Sequence, residues 1–317
     1  MSHPGRSIDI STRAILAARP PKNAVDAARP YAFFVERERS EEGEVVDVAT
    51  LFLTNRECPW RCLMCDLWKN TTDEPVPAGA IPQQVDYALE RLPPARQIKL
   101  YNSGNFFDGQ AIRPADHQAI AGRVSRFERV VVENHPKLVS ESCARFRDAC
   151  ATTLEIAMGL ETVHPEMLPR LNKGMTLDDF ARSVEFLLKH EIAVRAFILL
   201  RPPFLSEEEG LEWAIKSVDY AFSLGVGCCS VIPTRVGNGI MEQLSQEGLF
   251  SPPTIRSLER VLDYGLSLAR GRVFADLWDI ERFYDCAACG PQRAERIAAM
   301  NLSQQSEPEV NCSRCGA

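Results

Sequence analysis

Six strand-like runs and six helical patterns alternate between residues 45 and 270, a cysteine triplet follows the first run, and two Cys-x2-Cys pairs lie near the carboxyl end. These observations predict an α/β fold: a partial (β/α)6 TIM-type barrel with an amino-terminal extension and a small carboxyl-terminal four-cysteine metal module. Repeated βα units with right-handed crossovers build a parallel sheet, and six units suggest an incomplete barrel. The expected boundaries are 1–44 for the extension, 45–275 for the barrel and 276–317 for the metal module.

Each element has a local reason. Residues 1–44 hold several charges and few periodic features, and read as an extension that wraps the core. Residues 45–54 are a short run of Val, Phe and Leu without Gly or Pro, the first predicted strand. The Pro- and Ala-rich stretch 73–82 reads as a linker. Later strands are expected near 96–101, 128–133, 152–159, 192–200 and 226–232. Helices are expected near 82–92, 114–124, 138–150, 176–190, 206–224 and 253–270.

Cys58, Cys62 and Cys65 are spaced C-x3-C-x2-C directly after the first predicted strand. Three thiolates hold three corners of a 4Fe-4S cube and leave the fourth iron open to a substrate or cofactor. A barrel keeps its chemistry at the carboxyl ends of its strands, where this loop stands. The loop resembles the signature of radical S-adenosylmethionine enzymes. That resemblance implies a 4Fe-4S cluster and S-adenosyl-L-methionine as cofactors, with reductive cleavage to a 5′-deoxyadenosyl radical. The residue before the third cysteine, often aromatic in that superfamily, is Met64 here, a side chain that packs flexibly.

Residues at the other strand ends are candidates for the same pocket. Ser103, Gly104 and Asn105 occupy the place of the superfamily's glycine-rich motif, which implies binding of the methionine amino group; Asn, Ser and Gly also favour ordinary turns. Glu133 closes the third predicted strand and Glu161 the fourth, and a carboxylate there can serve a ribose or an amine. His135 reads as a turn histidine against Pro136. Arg195 sits inside an apolar run, so it either pairs with a carboxylate such as Glu161 or reaches an anionic group of the cofactor. Arg201 ends the same strand. The loop Gly237-Asn238-Gly239 follows the sixth, where a Gly-x-Gly is weak support for approach to an adenosine.

Cys286, Cys289, Cys312 and Cys315 form two Cys-x2-Cys knuckles, four thiolates suited to zinc or a second iron-sulfur cluster, with zinc favoured by the ribbon-like spacing. Arg293 and Arg296 between them suggest a basic helix, and the module reads as a recruiter of a macromolecular substrate. Cys143 and Cys150 read as core residues. Cys228 and Cys229 are adjacent on a strand and point to opposite faces.

The chain has 317 residues, 45% hydrophobic and 25% charged, with a net charge of −7. It holds no run of about 18 apolar residues, so no membrane helix is expected. Eleven cysteines without an apolar leader segment predict reduced thiols and metal ligation in the cytoplasm. The acidic balance does not advertise nucleic-acid binding. A locally basic stretch, 113–147, is interleaved with acids and reads as a solvated mixed-charge surface.

Taken together, the order 54–60, 101–108, 133–136, Gly159-Leu160-Glu161-Thr162, Leu171-Asn172-Lys173-Gly174-Met175-Thr176 and Met300-Asn301-Leu302-Ser303-Gln304 is similar to the archaeosine-synthesis radical S-adenosylmethionine family, whose core resembles the Elongator catalytic subunit. The resemblance runs from about residue 30 onward. It implies action on a lysine-modified 7-deazaguanine in tRNA, with cleavage of the lysyl side chain. It also implies a base-lysylating partner enzyme and a reductant protein such as flavodoxin or ferredoxin. A radical enzyme on a small or peptide substrate, and a non-catalytic iron-sulfur or zinc scaffold, are the alternative readings.

Overall fold

In the computed structural model, which describes residues 8–316, one eight-stranded sheet runs in chain order from β1 to β8. The strands are β1 Ala32–Arg39, β2 Val45–Phe52, β3 Gln97–Tyr101, β4 Arg129–Glu133, β5 Thr153–Glu161, β6 Ala193–Leu200, β7 Cys228–Pro233 and β8 Arg272–Ala275. β1 pairs antiparallel with β2, and every later neighbour is parallel. The six predicted strands correspond to β2 through β7. β1 and β8 were not expected, because β1 is half charged and β8 has only four residues.

The helices are α1 Thr12–Ala18, α2 Ala80–Leu89, α3 His117–Val124, α4 Glu141–Cys150, α5 Met167–Arg170, α6 Leu177–Lys189, α7 Glu207–Ser223, α8 Ile240–Gln246, α9 Ile255–Ser267 and α10 Gly290–Ser303. Local chemistry sets their starts. Thr176 and Ser206 each form a capping box with the acid three residues on, Asp179 and Glu209, which satisfies two orphan N–H groups at the head of α6 and of α7. None of the described helices is long and apolar enough to cross a membrane.

Strand alternation sorts the sheet into two faces. Ile98 and Leu100, Val130 and Val132, Ile156 and Met158, Ala196 and Ile198, and Val273 and Ala275 belong to one core cluster with the helices. Their neighbours at the intervening positions face the other way, into the barrel lumen. Cys229 joins that core while Cys228 lies by Arg195 and Arg272, as the adjacent-strand reading expects. Cys143 and Cys150 are buried in the same core.

The lumen is charged at its base. Glu38 on β1 bonds Arg195 on β6 at 2.6 Å and contacts Lys99 on β3, while Glu155 bonds Arg195 at 2.6 Å and both Arg129 and Arg272 at 3.0 Å. A carboxylate on the first strand can reach the sixth only if the sheet curls on itself. The two edge strands also meet there, where Arg272 Nη1 donates to the carbonyl of Arg39 at 3.2 Å. Burial alone would raise the Glu155 carboxyl, yet Arg195, Arg272 and Arg129 hold it from its ordinary 4.5 down to about 2.

The expected boundaries at 44 and 275 do not separate bodies. β1 belongs to the sheet, and the first seven residues and Ala317 of the two expected end segments lie outside the described residues. At the other end, α10 lies against α9, β8 and β1. Asn301 accepts from the Ala275 N–H and donates to the Ala275 carbonyl, both at 2.9 Å. Gln304 does the same with Val273, at 2.8 and 2.9 Å. These two amides imitate a neighbouring strand and cover the open edge of β8. Asn301→Ala or Gln304→Ala should therefore cost about 1–3 kcal/mol each, the penalty of unpaired buried backbone groups. A lower urea midpoint checks this, and an unchanged midpoint in the double variant would show the edge to be satisfied otherwise.

Candidate active site and carboxyl-terminal metal centre

The cysteine triplet leaves the carboxyl end of β2 and is gripped from four sides. From the β3 loop, Asn105 Nδ2 donates to Cys58 Sγ at 3.2 Å. From the segment after α5, the Leu63 N–H donates to the Leu171 carbonyl at 2.9 Å and Asn172 Nδ2 donates to the Arg61 carbonyl at 2.7 Å. Trp60 stacks on His135 with ring centres 3.7 Å apart, and the His135 ring bonds the Lys173 carbonyl at 3.0 Å. From the β7 loop, buried Asn238 donates to the carbonyls of Leu63 at 2.8 Å and Cys65 at 3.1 Å. Asn238 thus pins the cysteine loop, a role the Gly-x-Gly spelling did not suggest.

The amino-terminal segment adds a further grip. Glu57 receives Arg19 at 2.7 Å, Lys22 at 2.9 Å and Arg61 at 3.3 Å. Ile15 of α1 packs with Leu63 and with Ile240, Met241 and Leu244 of α8, and Met64 joins this cluster from its rim. Gly239 allows the close approach: a Cβ there would stand 1.8 Å from the Ala18 carbonyl oxygen. Ile15, Arg19 and Lys22 thus set this segment against the cysteine loop.

The strand-end candidates separate into three groups. Ser103, Gly104 and Asn105 lie beside the triplet; Ser103 adopts φ 52° and shares a 2.8 Å hydrogen bond with Tyr31. Glu133 is partly buried, and its Oε1 accepts the N–H groups of Asn102 at 2.6 Å and Gly104 at 3.2 Å. It therefore shapes the 102–105 loop. Glu161, at φ 65°, is paired with Lys173 at 2.5 Å, and a Cβ on Gly159 would lie 2.0 Å from the carboxylate and 2.3 Å from the ammonium. Burial tends to lower the Lys173 ammonium, but Glu161 and the neighbouring Cys62 and Cys58 hold it raised, a fixed positive charge beside the triplet.

Two predicted cofactor residues are corrected. Arg195 has all three guanidinium nitrogens bonded to Glu155 and Glu38 at the lumen base, because two buried carboxylates outcompete a distant site. Arg201 turns back on the chain, donating to Glu207 at 2.6 Å and the Pro252 carbonyl at 2.9 Å. Within the basic stretch, Arg123 pairs with Asp86, Arg129 with Glu155, and Arg147 with Glu191.

The residues around the triplet fit a cluster and a polar cofactor. Burial pushes the three thiols up, Cys62 to about 12, so thiolates here need nearby positive charge such as cluster iron and Lys173 provide. Both polar atoms of the Asn102 side chain, Asn55 Oδ1 and Thr54 Oγ1 are buried without a hydrogen-bond partner among the described residues. All three residues stand where β2 and β3 meet the cysteine loop. Orphaned polar atoms at such a place are explained by a ligand that satisfies them.

The carboxyl-terminal cysteines come together as the spacing predicts. The Sγ atoms of Cys286, Cys289, Cys312 and Cys315 all lie within 4.8 Å of one another, with Cys289 and Cys315 at 3.8 Å. A tetrahedron with metal–sulfur bonds of about 2.3 Å has an edge of about 3.8 Å. A four-iron cube places one thiolate on each iron and spreads them further apart, so the arrangement fits a single ion. Backbone N–H groups of Arg314 and Cys315 hold the Cys312 thiol down at about 6. Arg293 Nε donates to Cys289 Sγ at 3.4 Å while its other nitrogens reach Glu259 and the Val310 carbonyl. Arg296 pairs with Glu259 and Asp263. Both arginines are buried, which corrects the expected basic recruiting helix: they bolt the metal site to α9.

No protein-family model matches the chain. Archaeosine synthase subunit beta from Methanosarcina acetivorans is 29% identical over 232 residues, covering 67% of this chain and 65% of that protein. Among solved structures, methylornithine synthase (PylB) superposes with a TM-score of 0.53 at 14% identity, covering 83% of this chain and 76% of that one. Elp3 from Methanocaldococcus infernus does so with 0.52 at 16% identity, covering 73% and 60%. The chain shares the fold of these two proteins. The cysteine triplet stands at the carboxyl end of β2 in that fold. The match spans less than two thirds of the archaeosine synthase subunit.

Proposed function

We propose that the chain is a radical S-adenosylmethionine enzyme acting on a modified nucleoside in tRNA, of the archaeosine type. The observation that carries this reading is the cysteine loop clamped by residues from the β3, β4, β5 and β7 ends around three thiols, with orphaned amides beside it. The likeness to archaeosine synthase subunit beta supports the substrate class.

Cys58, Cys62 and Cys65 would hold a 4Fe-4S cluster, and S-adenosyl-L-methionine bound there supplies an adenosyl radical on one-electron reduction. The chain's own residues do the placing. Asn105 donates to the Cys58 sulfur and Lys173 sets positive charge by the loop, both of which favour the thiolate. Glu133 orients the 102–105 backbone, and Asn102 offers its amide to the polar end of the cofactor. The apolar cluster of Ile15, Leu63 and Met241 keeps water from the cysteine loop. A reductant protein such as flavodoxin or ferredoxin would deliver the electron, a base-lysylating enzyme would make the substrate, and the carboxyl-terminal four-cysteine site would hold zinc.

Anaerobic reconstitution with iron and sulfide, followed by dithionite and S-adenosyl-L-methionine, tests this. Cluster absorbance, about one zinc per chain after mild chelation and 5′-deoxyadenosine formation are expected, the last abolished in Cys62→Ser. A tRNA carrying the lysyl-modified base should be consumed. No 5′-deoxyadenosine with the cluster present would leave a scaffold; formation without tRNA turnover would point to a small or peptide substrate.

A further inference from the structure

Above the ionic base, several aromatic side chains facing away from the helices are only partly buried. Phe197 stands on β6, well inside the sheet, and faces away from the helices, yet it is only partly buried. Tyr101 and Phe52 on β3 and β2, and Phe34 on β1, share that partial exposure. They form a chain of ring contacts, Phe34 to Phe52 at 5.9 Å, Phe52 to Tyr101 at 5.9 Å and Tyr101 to Phe197 at 6.3 Å. Such a wall suits a flat, weakly polar group.

One carboxylate below this wall is half spent. Glu36 Oε1 takes both of its hydrogen bonds, from Thr50 Oγ1 at 2.6 Å and Lys99 Nζ at 2.9 Å. No described donor reaches Oε2, and the Glu36 side chain is 39% exposed. Its neighbours in the lumen, Glu38 and Glu155, are by contrast buried and fully engaged. Thr50 and Lys99 fix the orientation of the Glu36 carboxylate through Oε1 and leave Oε2 without a described donor.

We propose that Glu36 is a specificity residue, whose free Oε2 accepts an N–H of a flat heteroaromatic group lodged against Phe34, Phe52, Tyr101 and Phe197. This rests on the nucleobase reading above and narrows it to a base with an N–H donor edge, such as the 2-amino group of a deazaguanine. β1 supplies both Glu36 and Phe34, so the antiparallel edge strand becomes part of the substrate pocket.

The test uses the reconstituted full chain with S-adenosyl-L-methionine and two free bases as probes, 7-deazaguanine and 7-deazahypoxanthine, which lacks the amino donor. Titration calorimetry should show the first bound about 10- to 100-fold more tightly, the value of a hydrogen bond to a charged group. Glu36→Gln should shrink that ratio to about threefold or less, since the amide still accepts from Thr50 and Lys99 but presents a donor to the base. Phe197→Leu should weaken both probes alike. If Glu36→Gln fails to fold, Thr50→Val, which frees the carboxylate to swing, should lower the same ratio. Equal affinity for the two probes in the wild type, or a ratio untouched by Glu36→Gln, overturns the proposal. A wild type that forms 5′-deoxyadenosine yet binds the two probes equally would sink the Glu36 role alone; a wild type that keeps the ratio but forms no 5′-deoxyadenosine would sink only the enzymatic reading.

Discussion

Glu155→Ala should destabilise the folded chain by about 3–5 kcal/mol, the usual cost of removing one partner from a buried ion network. Arg129, Arg195 and Arg272 all bond this one carboxylate, and all are nearly excluded from solvent. Removing it leaves three buried cations sharing Glu38 and the exposed Glu41. The same network predicts acid sensitivity. Glu155 is held down to about 2 in the fold against an ordinary 4.5, and Glu38 is lowered too. The unfolded chain therefore binds more protons below about pH 4.5, and the stability these carboxylates contribute is lost as the pH falls toward 2. Urea midpoints measured from pH 7 to pH 3 should drop steeply in the wild type and less steeply in Glu155→Gln. Parallel slopes in the two proteins would place the acid-sensitive groups elsewhere.

Gly159→Ala should damage both the fold and the site. Its Cβ would sit 2.0 Å from Glu161 Oε1 and 2.3 Å from Lys173 Nζ, forcing apart a buried pair. The direct cost is about 3–5 kcal/mol. Under the proposed function there is a second effect, because Lys173 also carries the backbone carbonyl that fixes His135 and, through it, Trp60 in the cysteine loop. A shift of about 1 Å in such a support costs on the order of 10²-fold in rate, read as 5′-deoxyadenosine formation. Gly122→Ala on α3, where nothing lies within 4 Å, is the matched control and should change neither quantity. A Gly159→Ala protein that behaves like this control would show the pair to be unimportant.

Much of the barrel was legible from the sequence because strands and helices announce themselves locally. The runs 152–159 and 192–200 alternate or continue in apolar residues over one element's length, and β5 and β6 form within one or two residues of them. β1 was not legible. Its sequence, AFFVERER, runs from an apolar half into four consecutive charges, and the charges make sense only when Glu36 and Glu38 meet Lys99 and Arg195 across the lumen. Likewise the stretch containing Asn301 and Gln304 reads as the end of a helix; that its amides complete a sheet edge depends on where α10 lands.

The site divides the same way. The spacing of Cys58, Cys62 and Cys65, and the pairing of Cys286 and Cys289 with Cys312 and Cys315, are covalent facts that chemistry can interpret before any fold is known. Charged residues are different, because one guanidinium can serve many partners and the sequence does not say which is near. Arg195 sits 157 residues from Glu38 and 40 from Glu155, and only the curled sheet brings all three together. The sequence by itself determined the order of βα units and the two cysteine sets, since both depend on short-range spacing. The tertiary structure alone decided that Arg195 and Arg201 are structural, that Lys173 and Asn238 hold the cysteine loop, and that β1 lines the lumen, since burial and pairing belong to contacts between distant segments.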